Sequence, residues 1–393
     1  MSGEASGRRG AILFAGQAYY YSWYLSRALR ELGWRADVLN WDPNPANDLY
    51  YHGEDIRLPP GGRFGLARHL GFLQWALRTY DILHFNSMHG MKLSPLLEDF
   101  FARRFSPGAE LRLAKRLGKK IVYTNNGCHD GVAQSSFAAW GDRPVCDDCI
   151  WRDVPSVCSD ERNLTWGAFR NEMADFQILL GGNRVDYNID PRVHEVPGFY
   201  CLDETFWDPD LLVPTNHRLP LADSTVKVYH AVGNMKMRTD ASGRNIKSTH
   251  IWKPLIDDLR AEGHDVEMVF FFDVPNTELR YYQVQADIVV DMLTYGWFGA
   301  TTREALMLGK PVICNLRGEW LDQMRREIPE YVDELPVVHA TPETAREVLL
   351  DLVQHPEKRT EIGRRSREFA VKWHSASSGA AQLDPIYREL LVR

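Results

Sequence analysis

A repeated alternation of short, wholly apolar runs with amphipathic stripes constrains this chain more than any other feature. Residues 11–14 read as a strand, and Leu25, Ala28, Leu29 and Leu32 follow at the spacing of one helix face that stops at Gly33. Residues 36–39, 82–85, 121–124 and 176–180 read as further strands, and Leu111, Ala114 and Leu117 mark a helix stopped at Gly118. Strands apolar on both faces and separated by helices belong to a parallel sheet covered on both sides.

A second series starts at residue 226. Residues 226–231, 266–272, 287–292 and 312–314 read as strands, while Trp252, Leu255, Ile256 and Leu259 form a helical stripe. A helix around 303–308 is closed by Gly309 and Pro311, and helical patterns fill 345–352, 357–373 and 384–391. Between the series, 209–223 holds three prolines and no period, and reads as linker. The pattern predicts an α/β chain of two Rossmann-like domains facing across a cleft, residues 1–208 and 224–372, with a last segment 373–393. Ligands bind beyond the carboxyl ends of the strands in open parallel sheets, so two facing sheets build one site from both.

Composition narrows the class. With 44% apolar and 25% charged residues the chain is globular rather than disordered, and a net charge of -7 does not favour a nucleic-acid partner. Aromatic residues at 11% suit a cleft that binds sugars or other flat faces. No apolar run reaches membrane-spanning length. Arg8 and Arg9 precede an apolar stretch that ends at Gln17, too short for a signal peptide, so the expected location is cytoplasmic. The basic and apolar stretch 63–78, with Phe64, Leu66, Phe72 and Trp75, reads as a helix buried against the sheet or as an interfacial helix touching a membrane.

The most informative stretch is Tyr295-Gly-Trp-Phe-Gly-Ala-Thr-Thr-Arg-Glu-Ala-Leu-Met-Leu-Gly-Lys-Pro-Val-Ile313. It places a glycine loop after a buried strand and at the start of a helix. Free N–H groups around Gly299, Ala300 and Thr301 suit a phosphate or pyrophosphate, and Glu304 on the first turn suits paired hydroxyls such as those of a ribose. A plain loop–helix–strand unit with a solvated Glu fits the same pattern.

This stretch resembles the donor-site signature of the GT-B glycosyltransferases, especially the retaining glycosyltransferase family 4. The family pattern is Glu-Gly-Phe-Gly, four residues, Glu-Ala, then Gly-x-Pro-Val; Phe298-Gly299, Glu304-Ala305 and Gly309-Lys-Pro-Val312 match it. The family's first Glu falls at Gly296 and is absent. Lys247, in Asn245-Ile-Lys-Ser-Thr249, matches a family Lys that holds the diphosphate, with Arg244 or Arg238 as its partner. Gly16 matches the glycine loop after the first strand, and Tyr80-Asp-Ile-Leu-His84 matches a second strand; His84 and His89 are placed near the cleft. Ile121-Val-Tyr-Thr-Asn-Asn-Gly127 resembles a strand ending in His-Gly, with Asn126 where the His stands and with His129 and Asp130 as substitutes. The resemblance thus implies Gly16, Arg238, Arg244, Lys247, Phe298, Gly299, Ala300, Thr301 and Glu304 at the donor, and Asn126, His129 and Asp130 at the chemistry. It also implies that the last helix crosses back to the N-terminal domain.

Cys128, Cys146, Cys149 and Cys158 are bunched, the middle two as Cys-x2-Cys, in a stretch of about 128–166 with little apolar period. Four thiolates are what a closed tetrahedral zinc site needs, and a structural zinc would supply this cysteine-rich insert with a core; unligated thiols, an iron–sulfur cluster and a redox pair are the other readings. Cys201 and Cys314 read as buried core residues.

The function implied is transfer of a sugar from a nucleotide-sugar, UDP-sugar favoured, to a small-molecule, glycan or lipid-linked acceptor, with retention and without a catalytic metal. A sugar-nucleotide epimerase and a non-catalytic partner subunit that binds nucleotide or sugar are the alternatives. An NAD enzyme is disfavoured, because Gly16 stands alone where Gly-x-Gly-x-x-Gly is needed.

Overall fold

The computed structural model describes residues 9–16, 19–59, 61–62, 64–86, 90–125, 127–128, 130–140, 145–179, 184–272 and 274–393. The first sheet holds β1 (Ala11–Ala15), β2 (Arg35–Asn40), β3 (Ile56–Arg57), β4 (Ile82–Phe85), β5 (Lys120–Thr124), β6 (Phe176–Leu179) and β7 (Val193–Glu195). The second holds β8 (Val226–Ala231), β9 (Val266–Phe271), β10 (Ile288–Val290), β11 (Val312–Cys314) and β12 (Val338–His339). All pairs are parallel, in the orders β3-β2-β1-β4-β5-β6-β7 and β12-β11-β10-β8-β9.

Burial explains why the central strands read as continuous apolar runs. β1 is buried along its whole length, because helices cover both faces. On the outer face of the first sheet, Leu13, Leu83 and Tyr123 pack with Leu73 and Leu77 of the helix Gly65–Thr79. On the outer face of the second, Val228, Ile288 and Ile313 pack with Trp252 and Ile256 of the helix Thr249–Ala261. A third apolar cluster is common to both sheets and joins Phe14, Tyr20 and Trp207 to Tyr229 and Phe298.

The helix Ala376–Val392 packs on the helix Tyr21–Glu31 of the first sheet. Asp384 accepts hydrogen bonds from Trp34 Nε1 at 2.8 Å and from Arg9 at 2.6 Å, and Tyr387 Oη pairs with His84 Nδ1 at 2.7 Å. The helix Gly65–Thr79 buries His69, Leu73, Ala76 and Leu77, and leaves Leu66 and Trp75 exposed beside Phe64. Among the described residues, no helix is long and apolar enough to cross a membrane.

Candidate active site

Each sheet has one point where the strand order reverses, between β1 and β4 in the first and between β8 and β10 in the second. Loops leaving the carboxyl ends of neighbouring strands diverge there and open a crevice. In the second sheet the two loops are tied to each other at Asp291. Lys247 Nζ lies 2.6 Å from Asp291 Oδ1, and Thr302 Oγ1 donates to Oδ2 at 2.8 Å. Trp252 Nε1 donates to the Asp291 carbonyl at 2.7 Å, and Leu293 N donates to Ser248 Oγ at 3.0 Å. Burial pushes the Asp291 carboxyl up, but Lys247 and Thr302 outweigh it and hold it below the usual carboxylate range.

The helix Ala300–Met307 starts at this point, and its first N–H groups carry no side-chain cap. A side chain added at Gly299 would meet Lys247 Nζ at 3.6 Å, so the ammonium stands directly against the loop backbone. A cation beside uncapped helix amides is a site for an anion.

Glu304 follows on the same helix and is 2% exposed. Its carboxylate accepts from Tyr20 Oη at 2.5 Å, Asn276 Nδ2 at 2.9 Å and Gln283 Nε2 at 2.7 Å. Asn276 is aimed by His52, whose Nε2 lies 2.7 Å from Asn276 Oδ1 and whose Nδ1 lies 2.6 Å from Tyr24 Oη. Burial lowers His52 to about 4, so the ring is neutral. The network then assigns Nδ1 as acceptor from Tyr24 and Nε2–H as donor to Asn276.

Of the two arginines open as partners for Lys247, the structure brings in Arg238. Its charge beside the phenol of Tyr19, against burial, holds that phenol below its usual value; Lys247 acts in the same direction. Arg244 instead lies 3.7 Å from Asp148, half out in solvent. Gly16 sits just past β1 at φ +83°, and Phe298 is fully buried, stacked on Trp297. Beneath that pair, the Arg303 guanidinium lies 4.9 Å from the Trp297 ring and 5.0 Å from the Phe298 ring.

The N-terminal chemistry candidates are placed differently. Asn126, His129 and His89 lie outside the described residues. Asp130 is fully buried; its carboxylate accepts from Tyr123 Oη at 2.5 Å and from Trp166, and its carbonyl accepts from Arg170 at 2.8 Å. That carboxylate anchors the segment after β5 rather than lining the crevice. His84 is also fully buried, bonded to Tyr387 and Thr124, and lowered to about 3 by burial.

The absent Glu at position 296 has a steric cause. Gly296 has φ +87°, and a side chain there would meet Arg317 Cγ at 2.0 Å. Arg317 fills the space, donating to the carbonyls of Tyr295 at 3.1 Å, Thr294 at 3.3 Å and Trp140. Through Trp140, and through Phe137 against Tyr295, the segment after β5 packs on the loop that carries Gly296.

The zinc expectation for Cys128, Cys146, Cys149 and Cys158 does not carry over. Among the described residues, no three His, Cys, Asp or Glu groups are placed to hold one metal ion. The thiols are near enough to act on one another: burial first, then the other three thiols, pushes Cys128 up. Gln134 and Asn163 donate to Cys158 Sγ at 3.6 and 3.5 Å, and Tyr295 lies against Cys128.

Sequence reasoning passed over Asn276, Gln283 and Asp291, and read Tyr19 and Tyr20 only as part of an aromatic stretch suited to a large or flat acceptor or to core packing. Two signals were available. Asn276 and Gln283 stand seven residues apart, on one face of the helix Asn276–Gln283. Asp291 ends an apolar strand, where a carboxylate has to be paired.

No family model matches the chain, and no curated protein is detectably similar to it in sequence. Solved structures are similar over nearly the whole length. The chain resembles a sucrose-phosphate synthase from Thermosynechococcus elongatus, with TM-score 0.58 and 16% identity over 98% of this chain and 100% of that one. It resembles HepE from Anabaena, solved with UDP and glucose, with TM-score 0.58 and 13% identity over 96% and 99%. It also resembles WaaG, a glycosyltransferase involved in lipopolysaccharide biosynthesis, with TM-score 0.55 and 13% identity over 95% and 99%. The fold of this chain is GT-B.

Proposed function

We propose that this GT-B chain is a glycosyltransferase that takes a sugar from a nucleotide-sugar, a UDP-sugar in the first instance, and passes it to a hydroxyl-bearing acceptor with retention. The observation that carries this reading is the convergence of Lys247, the uncapped helix start at Gly299 and Glu304 at the strand-order reversal of the second sheet. In this reading the diphosphate lies against Lys247, Arg238 and the amides of Gly299, Ala300 and Thr301, and Glu304 accepts the ribose hydroxyls. The bond between the anomeric carbon and the β-phosphate oxygen breaks, and the acceptor oxygen bonds to that carbon while its proton passes to the departing diphosphate. Charge develops on the departing nucleoside diphosphate, and fixed cations and helix amides stabilise it without reorganising. Two of the similar structures, HepE with UDP and glucose and HepE with UDP-glucose, support a UDP-sugar as donor.

The acceptor is a glycan, a lipid-linked sugar or a small molecule. Contact with a membrane surface is favoured by one observation: Phe64, Leu66 and Trp75 stay exposed at the helix Gly65–Thr79, and exposed Leu113 and Leu117 line a groove with Leu70, Arg78 and Lys119 along the same helix.

Incubation with a panel of nucleotide-sugars, with analysis of released nucleotide and sugar, tests the activity. Slow hydrolysis or transfer from one donor class, lost in Lys247→Ala, supports a transferase. Interconversion of sugar epimers supports the epimerase reading instead, and binding without turnover supports a partner subunit.

A further inference from the structure

Tyr19 and Tyr20 follow β1 at the strand-order reversal of the first sheet, and their phenols end on the same groups that the donor-site reading assigns to a nucleotide-sugar. Tyr20 Oη lies 2.5 Å from Glu304 Oε1, where a ribose hydroxyl would donate. The Tyr19 phenol lies close enough to Arg238 and Lys247 for their charges to hold it below its usual value, where a diphosphate oxygen would accept. With Asn276 and Gln283 also bonded to it, both oxygens of the Glu304 carboxylate are engaged inside the chain. A diphosphate placed against Arg238 would have to compete with the Tyr19 phenol for that guanidinium.

The backbone adds an independent sign. Tyr19 has φ +61°, a left-handed conformation that a bulky residue adopts only when its surroundings impose it. What imposes it is aromatic packing: the Tyr19 ring lies edge-on to Tyr50 at 5.9 Å and to Tyr21 at 6.1 Å, and the Tyr20 ring lies 4.9 Å from Trp207.

We propose that Tyr19 and Tyr20 are a built-in occupant of the donor site, standing where the diphosphate and the ribose go, and that the donor enters by displacing this pair. The proposal rests on the donor-site reading above. It predicts that the free chain holds most of its molecules in a donor-excluding conformation, so measured affinity equals intrinsic affinity multiplied by the open fraction.

The test is calorimetric titration of the full chain with UDP, for wild type, Tyr19→Phe, Tyr20→Phe and Lys247→Ala. Each phenyl variant keeps the ring and loses the hydroxyl that holds the pair in place, so UDP binding should tighten by roughly ten- to a hundredfold, the weight of one charge-assisted hydrogen bond. Lys247→Ala should lose binding. Weaker binding by the phenyl variants makes the hydroxyls donor ligands and overturns the proposal, as does unchanged binding. If neither wild type nor the phenyl variants bind UDP, the donor-site reading itself fails. Stopped-flow UDP binding to wild type gives a check free of folding effects. An observed rate that levels off at high UDP reports the displacement step; a rate that stays linear contradicts it.

Discussion

Glu304 shows how much one residue position carries in this molecule. Its neighbours Arg303 and Ala305 face other parts of the core, and only Glu304 reaches Tyr20, Asn276 and Gln283 together. Glu304→Ala leaves those donors without an acceptor, and a buried donor left alone costs about 1–3 kcal/mol. The variant should therefore melt several degrees lower and bind no nucleotide, as read by thermal unfolding with and without UDP. Glu304→Gln, which keeps the volume, should recover most of the melting temperature and little of the binding. A second residue-level prediction concerns pH. His84 is held down to about 3 and His230 to about 4, both by burial and both fully packed. These folded values lie below the ordinary 6.5, so the unfolded chain takes up the protons first as pH falls. Stability is complete above pH 6.5 and declines as pH drops toward 4, by about 1.4 kcal/mol per pH unit for each histidine. Urea midpoints at pH 7, 6 and 5 measure this, and His84→Gln should flatten the decline; an unaltered slope would count against buried neutral His84.

At the scale of elements, the decisive unit is the loop from β10 into the helix Ala300–Met307. The motif Phe298-Gly299, Glu304-Ala305 and Gly309-Lys-Pro-Val312 was legible because each residue answers a local demand: loop, helix start, helix end, strand. The Arg317 side chain was not legible, because it comes from beyond β11 and lands on Gly296 only in the folded chain. Restoring a side chain at 296 should therefore damage the loop rather than repair a motif. Gly296→Ala meets both a positive φ and Arg317, and should cost about 2–4 kcal/mol, checked by denaturant unfolding. The edge strands β3, β7 and β12 were missed because, unlike the equally short but wholly apolar β10 and β11, their two or three residues include Arg57, His194, Glu195 and His339 and leave no apolar run. The cysteine stretch shows the opposite hazard. Its spacing suggests a metal site, yet spacing fixes neither the distances nor the directions that ligation needs.

At the scale of the molecule, the two sheets meet through one apolar cluster, and the last helix fastens the chain's end to its beginning. Alternation of strands and helices was enough to read two parallel sheets, because both are buried on both faces. It did not show which loops face each other, and hence it missed that Tyr19 and Tyr20 of the first sheet lie on Arg238 and Glu304 of the second. Asp384 ties the final helix to Trp34 and Arg9. Asp384→Ala should lower stability by about 1–3 kcal/mol without touching the donor groups, so melting temperature falls while donor affinity per folded molecule stays.

The central claim is that a nucleotide diphosphate binds between the loops that follow β8 and β10, and an experimental structure of the UDP complex tests it most directly. The account predicts the β-phosphate within hydrogen-bonding distance of Lys247 and the amides at Gly299 to Thr301, the ribose on Glu304, and Tyr19 and Tyr20 moved aside. UDP bound elsewhere, or a saturated crystal with Tyr20 still on Glu304 and no nucleotide beside Lys247, would contradict it.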